Sequence, residues 1–294
     1  MLCARGWVIP VLLIAAWGSR AGESIVVAGA TTLQPIVQQA GMEFKKTHPE
    51  VSFVVGAGGS SKGVELTAEG KVQLGMVGRE MKKEEKEKYA DLAPVRVALD
   101  GICMVVSADV PLTKITKPQV QDLYTGKVKS WKELGGPDAP PVLGSRTEGH
   151  AQLELFLSYF GMESKADNDA GVTAHKAKGE AEFGGNKAKQ ATNNDKMLAV
   201  ALENKGALVY LPIGFAHTKI EKGVGIKMLE LDGFVPSAES VANGTYPFCR
   251  PLLLVTKGPA QGKIKEFIEY LLSPDGQKIV ADQDYIPLQA QKKE

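Results

Sequence analysis

One turn design, used three times, constrains this chain more than any other feature. Each copy ends a β-branched or apolar run, is rich in Gly, Ser, Thr or Arg, and leads into a helix-patterned segment. They are Gly29-Ala30-Thr31-Thr32 after Ile25-Val26-Val27, Gly58-Gly59-Ser60-Ser61-Lys62-Gly63 after Phe53-Val54-Val55, and Ser145-Arg146-Thr147-Glu148-Gly149 after Val142-Leu143. A strand that stops at such a turn and opens a helix presents unpaired backbone N–H groups together with the positive end of the helix dipole. Hydroxyls add donors and an arginine adds counter-charge, so the pattern suits a small anion.

The turns sit in an alternating strand and helix pattern. After Ile25–Gly29, the apolar residues Leu33, Ile36, Val37, Ala40 and Phe44 repeat at helical spacing and stop at Thr47-His48-Pro49. Strands are expected at 51–55 and 72–77, a helix from about Ser61, and a solvated charged helix over 80–88. Parallel βαβ units with right-handed crossovers follow from that order. Val95–Leu99 and Ile102–Val106 are β-rich and flank Asp100-Gly101, and the pattern restarts after Pro111. Further strands are expected near 142–144, 207–211, 226–231 and 252–256. Helices are expected near 151–160 and 196–203, with an amphipathic one carrying Ile264, Phe267, Ile268 and Leu271. The polar 163–190 segment reads as surface helix and loop. Two α/β blocks joined by strands fit two lobes around a cleft, with a ligand at the carboxyl ends of the strands.

Arg5 precedes an apolar run from Trp7 to Trp17, and Ser19-Arg20-Ala21 has small residues where a signal peptidase reads. The run is too short to span a bilayer. Residues 1–21 are therefore read as a cleaved signal peptide, which implies a periplasmic protein starting near Gly22. Removing Arg5 and Arg20 takes Lys+Arg from 35 to 33, against 34 Asp+Glu. Such a balance argues against a nucleic-acid partner, so any anion selectivity is local. Cys103 and Cys249 remain, either as one disulfide or as two buried thiols.

Enzyme constellations are thin. The four histidines, His48, His150, His175 and His217, are dispersed and form no helical metal pair. Gly58–Gly63 misses the phosphate-cradling P-loop, because Ser61 and Gly63 stand where Gly and Ser or Thr are needed. Gly59-Ser60-Ser61-Lys62-Gly63 formally matches Gly-x-Ser-x-Gly, making Ser61 an elbow nucleophile in an alternative ester-hydrolase reading. The anion cradle is the preferred reading, without cofactor, metal or catalysis. Arg146 is its arginine fork, with Glu148 two residues on, and Arg79 is a second cation.

In order, several segments resemble the phosphate-binding receptors of ABC phosphate importers, the PstS-like, type II periplasmic binding protein family. They are Ala28–Pro35, Gly58–Gly63, Leu74–Glu80, Ala98–Ile102, Gln121–Lys127 with Trp131, Tyr246–Leu252, Ser273–Gln277 and Tyr285–Leu288. The resemblance implies a Venus-flytrap α/β fold, with lobe one at 22–104 plus 247–294 and lobe two at 105–246. It implies a monomer that binds inorganic phosphate and delivers it to a membrane permease. Implied ligand contacts come from the Thr31 hydroxyl, Thr32 N–H, Ser60, Ser61, Gly78, Arg79, Arg146, His150, Ala151 and Gln152, with Glu148 holding Arg146. Two positions depart from the family pattern. His150-Ala151-Gln152 replaces Ser-Gly-Thr, and Gly78 stands where some members place an aspartate that accepts the proton of hydrogen phosphate. Tuning to sulfate, molybdate or tungstate, or a non-transport sensor or interaction role, are the alternatives.

Overall fold

The structure is a computed structural model that describes residues 23–108 and 110–288; the expected signal segment lies outside them. The chain begins with β1 (Glu23–Gly29), a 3-10 turn at Thr31–Leu33, α1 (Gln34–Thr47), β2 (Val51–Gly56), α2 (Ser60–Ala68) and β3 (Leu74–Val77). β1 lies between β2 and β3 and is parallel to both. The helical repeat of α1 is used as read, since Ile36, Val37, Ala40 and Phe44 are all buried. α3 (Lys83–Lys88) buries no residue, as its charge run requires.

β4 (Leu92–Ser107) is one strand of 16 residues that runs through Asp100-Gly101. Its first part pairs antiparallel with β13, from Lys257↔Leu92 to Cys249↔Gly101, and its second part with β10, from Pro212↔Ile102 to Leu208↔Val106. Strand pairing on both sides overrides the turn propensity of Asp-Gly. Gly101 also allows close packing, for a Cβ there would lie 2.8 to 3.0 Å from Val241, Ile286 and Ile213.

Beyond β4 come β5 (Lys114–Ile115), α4 (Lys117–Thr125), β6 (Val142–Arg146), α5 (Ala151–Phe160), β7 (Met162–Asp167), β8 (Val172–Ala177) and β9 (Lys187–Ala191). α6 (Asn194–Glu203), β10 (Ala207–Pro212), α7 (Ile213–Glu221), β11 (Ile226–Met228), β12 (Glu230–Leu231), α8 (Ala238–Ala242), β13 (Cys249–Lys257), α9 (Gly262–Leu272) and α10 (Pro274–Asp282) complete the order. The strand path is β2-β1-β3-β13-β4-β10-β6-β9-β8-β7, and β11 adds to β4.

The segment read as surface helix and loop is instead a meander of β7, β8 and β9, joined to β6. Its inward positions are filled by Met162, Thr173, His175, Ala188 and Ala191, of which Met162 alone is large and apolar, so the strand alternation carries little apolar contrast.

Two hydrophobic cores flank the crossing. One holds Leu33, Phe44, Met76, Ala98, Leu252 and Phe267; the other holds Ile102, Tyr124, Trp131, Phe156, Tyr210 and Phe248. The passage from Ala98 to Ile102 and from Phe248 to Leu252 therefore moves from one core to the other. Cys103 and Cys249 are both free thiols. The buried Cys103 thiol donates to the Leu211 carbonyl, and burial pushes its pKa upward.

Candidate functional site

The carboxyl ends of β1, β2 and β3 are stitched together by short hydrogen bonds. Ala30 N–H donates to the Met76 carbonyl at 2.8 Å, and Gly59 N–H donates to the Gly29 carbonyl at 2.9 Å. Gly29 has φ +139°, and a Cβ there would stand 2.2 Å from the Met76 oxygen, so only glycine makes this turn. The first two turns are thereby fixed against each other, with the starts of the Thr31–Leu33 turn and of α2 on the same edge.

Gly78 N–H donates to Ser60 Oγ at 3.0 Å, which leaves the Ser60 hydroxyl proton available to a ligand. Thr32 is buried, and its Oγ1 accepts from Arg250 Nη2 at 3.2 Å. A Cβ at Gly78 would lie 3.6 Å from Ala30 Cβ, 3.7 Å from Thr32 Oγ1 and 3.8 Å from Arg250 Nη1. Position 78 thus points between the first turn and Arg250, with room for a side chain. Thr31 is exposed beside it.

Arg79 is paired. Glu85 grips it with two bonds of 2.7 and 2.8 Å, and Arg79 Nη2 also donates to Ser61 Oγ at 2.9 Å. This fork holds the Glu85 carboxyl below its ordinary pKa. The Ser61 hydroxyl is held by a cation, with no imidazole. His175 lies instead 3.3 Å from Ser145 Oγ, and His217 pairs with Glu221. Among the described residues, the elbow-nucleophile reading finds no imidazole hydrogen-bonded to Ser61.

The third turn is built differently. Arg146 is fully buried at the end of β6. Its Nε donates to Gln152 Oε1 at 2.8 Å, its Nη2 donates to Asn194 Oδ1, and Nη1 has no hydrogen-bond partner. Glu148, expected to hold Arg146, does not. It is exposed beyond the cluster, and its carboxylate accepts from Ala166 N–H of β7 at 3.2 Å. Gly149, at φ +77°, turns the chain between Glu148 and the α5 start. Among the described residues Arg146 makes no ion pair, and burial lowers its pKa to about 10. A buried guanidinium held only by neutral amides is costly without a counter-charge.

His150 is the N-cap of α5, and its Nδ1 accepts from Gln152 N–H at 3.2 Å. That bond leaves the ring proton on Nε2. Burial first, and then the charges of Arg146 and Arg250, lower its pKa to about 4. His150 is therefore neutral near pH 7, and both arginines act on it. Ala151 opens the first turn of α5, where backbone N–H groups have no intrahelical acceptor.

Sequence reasoning did not pick out Arg250, Asp100 or Asn194 as site residues. Arg250 on β13 pairs with Asp100 on β4 through Nε at 3.1 Å and Nη2 at 3.0 Å. Asp100 is buried, and its Oδ1 has no partner. Arg250 occurs in the Tyr246–Leu252 motif, which signalled only family resemblance. Asn194 sits at the first position of α6 behind its cap Asn193, and nothing local in the sequence marks it.

A cleft of about 400 Å³ is lined by Gly58, Gly59, Ser60, Ser61, Gly78, Arg79 and Arg250 on one side and by Glu154, Leu155 and Ser158 of α5 on the other. The structure thus gathers the second turn, Gly78 and Arg79 on this cleft with Arg250. Arg146, Gln152 and Asn194 form a buried cluster at the α5 start. Among the described residues, no group of three or more His, Cys, Asp or Glu residues is placed to hold a metal. No helix among them is long and apolar enough to cross a membrane.

The chain as a whole is similar to known proteins. A model of the PBP superfamily domain matches residues 15–275. The phosphate-binding protein PstS of Bacillus subtilis (strain 168) is 34% identical over 272 residues, covering 92% of this chain and 82% of its own. A solved phosphate ABC transporter substrate-binding protein from Clostridium perfringens, with bound phosphate, is 30% identical with a TM-score of 0.66. That match covers 91% of this chain and all 100% of the other. An ABC-type phosphate transport receptor from Vibrio cholerae shares the fold at 24% identity and a TM-score of 0.74, over 90% of this chain and 99% of its own.

Proposed function

Because the chain belongs to the PstS phosphate-binding proteins of the PBP superfamily and has their two-lobed α/β fold, we propose that it is an exported receptor that closes on inorganic phosphate and delivers it to an ABC permease. Residues 1–21 are its signal peptide and the periplasm its compartment. The lobes meet where β4 crosses between Ala98 and Ile102 and the stretch entering β13 between Phe248 and Leu252, a few residues from the bounds at 104/105 and 246/247 that the resemblance implies. The receptor acts as a monomer and catalyses no reaction.

The observation that carries this reading is Arg146, a buried cation with neutral partners and one unpaired nitrogen. An oxyanion supplies both the missing counter-charge and the missing acceptor. From lobe one, the Thr31 hydroxyl, the Thr32 N–H and the Ser60 hydroxyl donate to it. From lobe two, the Ala151 N–H and His150 join Arg146, while Gln152 orients the guanidinium. Gly78, Ser61 and Arg79 form the rim. Closure is driven by the affinity difference between the closed and open states.

Titration calorimetry on refolded, ligand-stripped protein tests this reading. Uptake of one phosphate per chain is expected, with binding lost in Arg146→Gln. Absence of phosphate binding in the parent protein overturns the proposal.

Gly78 favours a second reading, the same receptor tuned to another oxyanion. Position 78 faces the site without a carboxylate to accept the proton that distinguishes hydrogen phosphate from sulfate. Competition of sulfate against phosphate at two pH values separates the readings, because only phosphate changes protonation near neutrality.

A further inference from the structure

Arg250 stands where the two core-crossing strands meet. Its β-ladder partner is Asp100, and the next pair is Cys249↔Gly101. The guanidinium is divided among three directions. Nε and Nη2 hold Asp100 Oδ2, Nη2 also reaches Thr32 Oγ1 in the first turn, and Nη1 lies 3.8 Å from the position a Cβ would take at Gly78. Nη1 makes no hydrogen bond to a described protein atom, and Arg250 lines the cleft with Ser60 and Gly78. Only about a tenth of the side chain is exposed, and its partner Asp100 is buried at 1%. A fixed guanidinium with one edge anchored and one corner turned to a cleft is the arrangement that recognises an oxyanion.

We propose that Arg250 is a second anion-ligating arginine of this site, presenting Nη1 to the bound oxyanion, and that Asp100 positions it. This rests on the receptor reading above and extends it to a residue at the strand crossing. Two consequences follow from the geometry. The anion is held between an arginine at the end of β6 and an arginine on β13, so ligand charge draws on both cores. The ligand also shares Arg250 with Asp100, which couples binding to the crossing point of β4 and β13, where lobe motion has its axis in this proposal.

Removing Arg250 alone leaves Asp100 as an unpaired buried carboxylate, which destabilises the fold for reasons unrelated to ligand. The decisive variant is therefore the neutral pair Asp100→Asn with Arg250→Gln, which keeps the shape and removes both charges. Phosphate and sulfate titrations of the parent and the double variant are run beside thermal melts without ligand. The expected result is a melting midpoint near the parent's and phosphate affinity reduced roughly tenfold to a hundredfold, the range for losing one charge-assisted bond. Affinity within about twofold of the parent, in a variant that melts like the parent, overturns the assignment and leaves Arg250 a structural partner of Asp100. If the double variant does not fold, Arg250→Lys, which keeps the charge but loses the fork, decides by the same affinity thresholds. If the parent binds neither anion, the receptor reading itself fails and this proposal with it.

Discussion

Arg146 Nε donates to Gln152 Oε1 at 2.8 Å across one turn of chain, so the glutamine standing where a hydroxyl was expected orients the buried guanidinium. Asn194 supplies the second acceptor from the start of α6. Both are neutral. These partners hold the arginine in place without neutralising it, which is what the proposed oxyanion site requires.

That relationship makes Gln152→Glu informative. A carboxylate at 152 gives Arg146 an internal counter-charge that competes with an external anion. Phosphate affinity should fall at least about tenfold, while the melting midpoint without ligand holds or rises. Glu148→Ala should leave affinity within about twofold, because among the described residues Glu148 holds only the Ala166 N–H. Calorimetry and melting curves on the two variants check both statements. Unchanged binding in Gln152→Glu would show that Arg146 does not face the anion.

Gly78→Asp should sharpen selection for phosphate. A Cβ at 78 meets Ala30, Thr32 and Arg250 at ordinary contact distances, so the substitution fits. The new carboxylate accepts a hydrogen bond from the hydroxyl of hydrogen phosphate and repels sulfate, which has no proton to donate. Competition titration near neutral pH should show sulfate weakened by at least about tenfold more than phosphate, the scale of one unpaired buried polar contact. Equal weakening of the two would place residue 78 outside the ligand's reach.

Arg79 should act mainly on the approach of the anion. Glu85 already pairs with it, and it sits at the rim of the cleft, so its contribution at contact is small. In stopped-flow binding, Arg79→Gln should lower the association rate by about two- to threefold at low salt and leave the dissociation rate nearly unchanged. A fall confined to dissociation would make Arg79 a direct ligand instead.

The parallel unit around β1 was legible because Val26, Val27 and the Leu33-to-Phe44 repeat carry strong period signals. Thr32, Ser60 and Gly78 were legible for the same reason, since each ends or follows a readable strand. The β7–β9 meander was not, because its inward residues after Met162 are threonine, histidine and alanine. The partners of Arg146 were hidden differently. Glu148 is the nearer acid in sequence, but Gly149 turns the chain and Gln152 returns on the helix. Arg250 and Asp100 lie 150 residues apart and meet only because β4 and β13 pair at the crossing. No local pattern encodes that register.

The half-buried His150 and the buried His175 predict a stability profile in which only one of them responds to ligand. His150 and His175 both have folded pKa values lowered from 6.5 to about 4. As pH falls below 6.5 the unfolded chain takes up protons that the folded protein refuses, so stability declines until pH passes about 4. For the fully buried His175 the loss reaches about 3 kcal/mol, from 1.36 kcal/mol per pKa unit. Urea midpoints between pH 7.5 and 4.5 should therefore fall with pH, and His175→Gln should flatten that slope. The causes differ between the two rings. Burial alone lowers His175, whereas the charges of Arg146 and Arg250 add to burial at His150. A bound oxyanion offsets those charges, so ligand should raise the His150 pKa and leave His175 where it is. Ring-proton NMR titration with and without phosphate reads both. Equal response of the two rings, or none at His150, would mean that the anion does not sit between the two arginines.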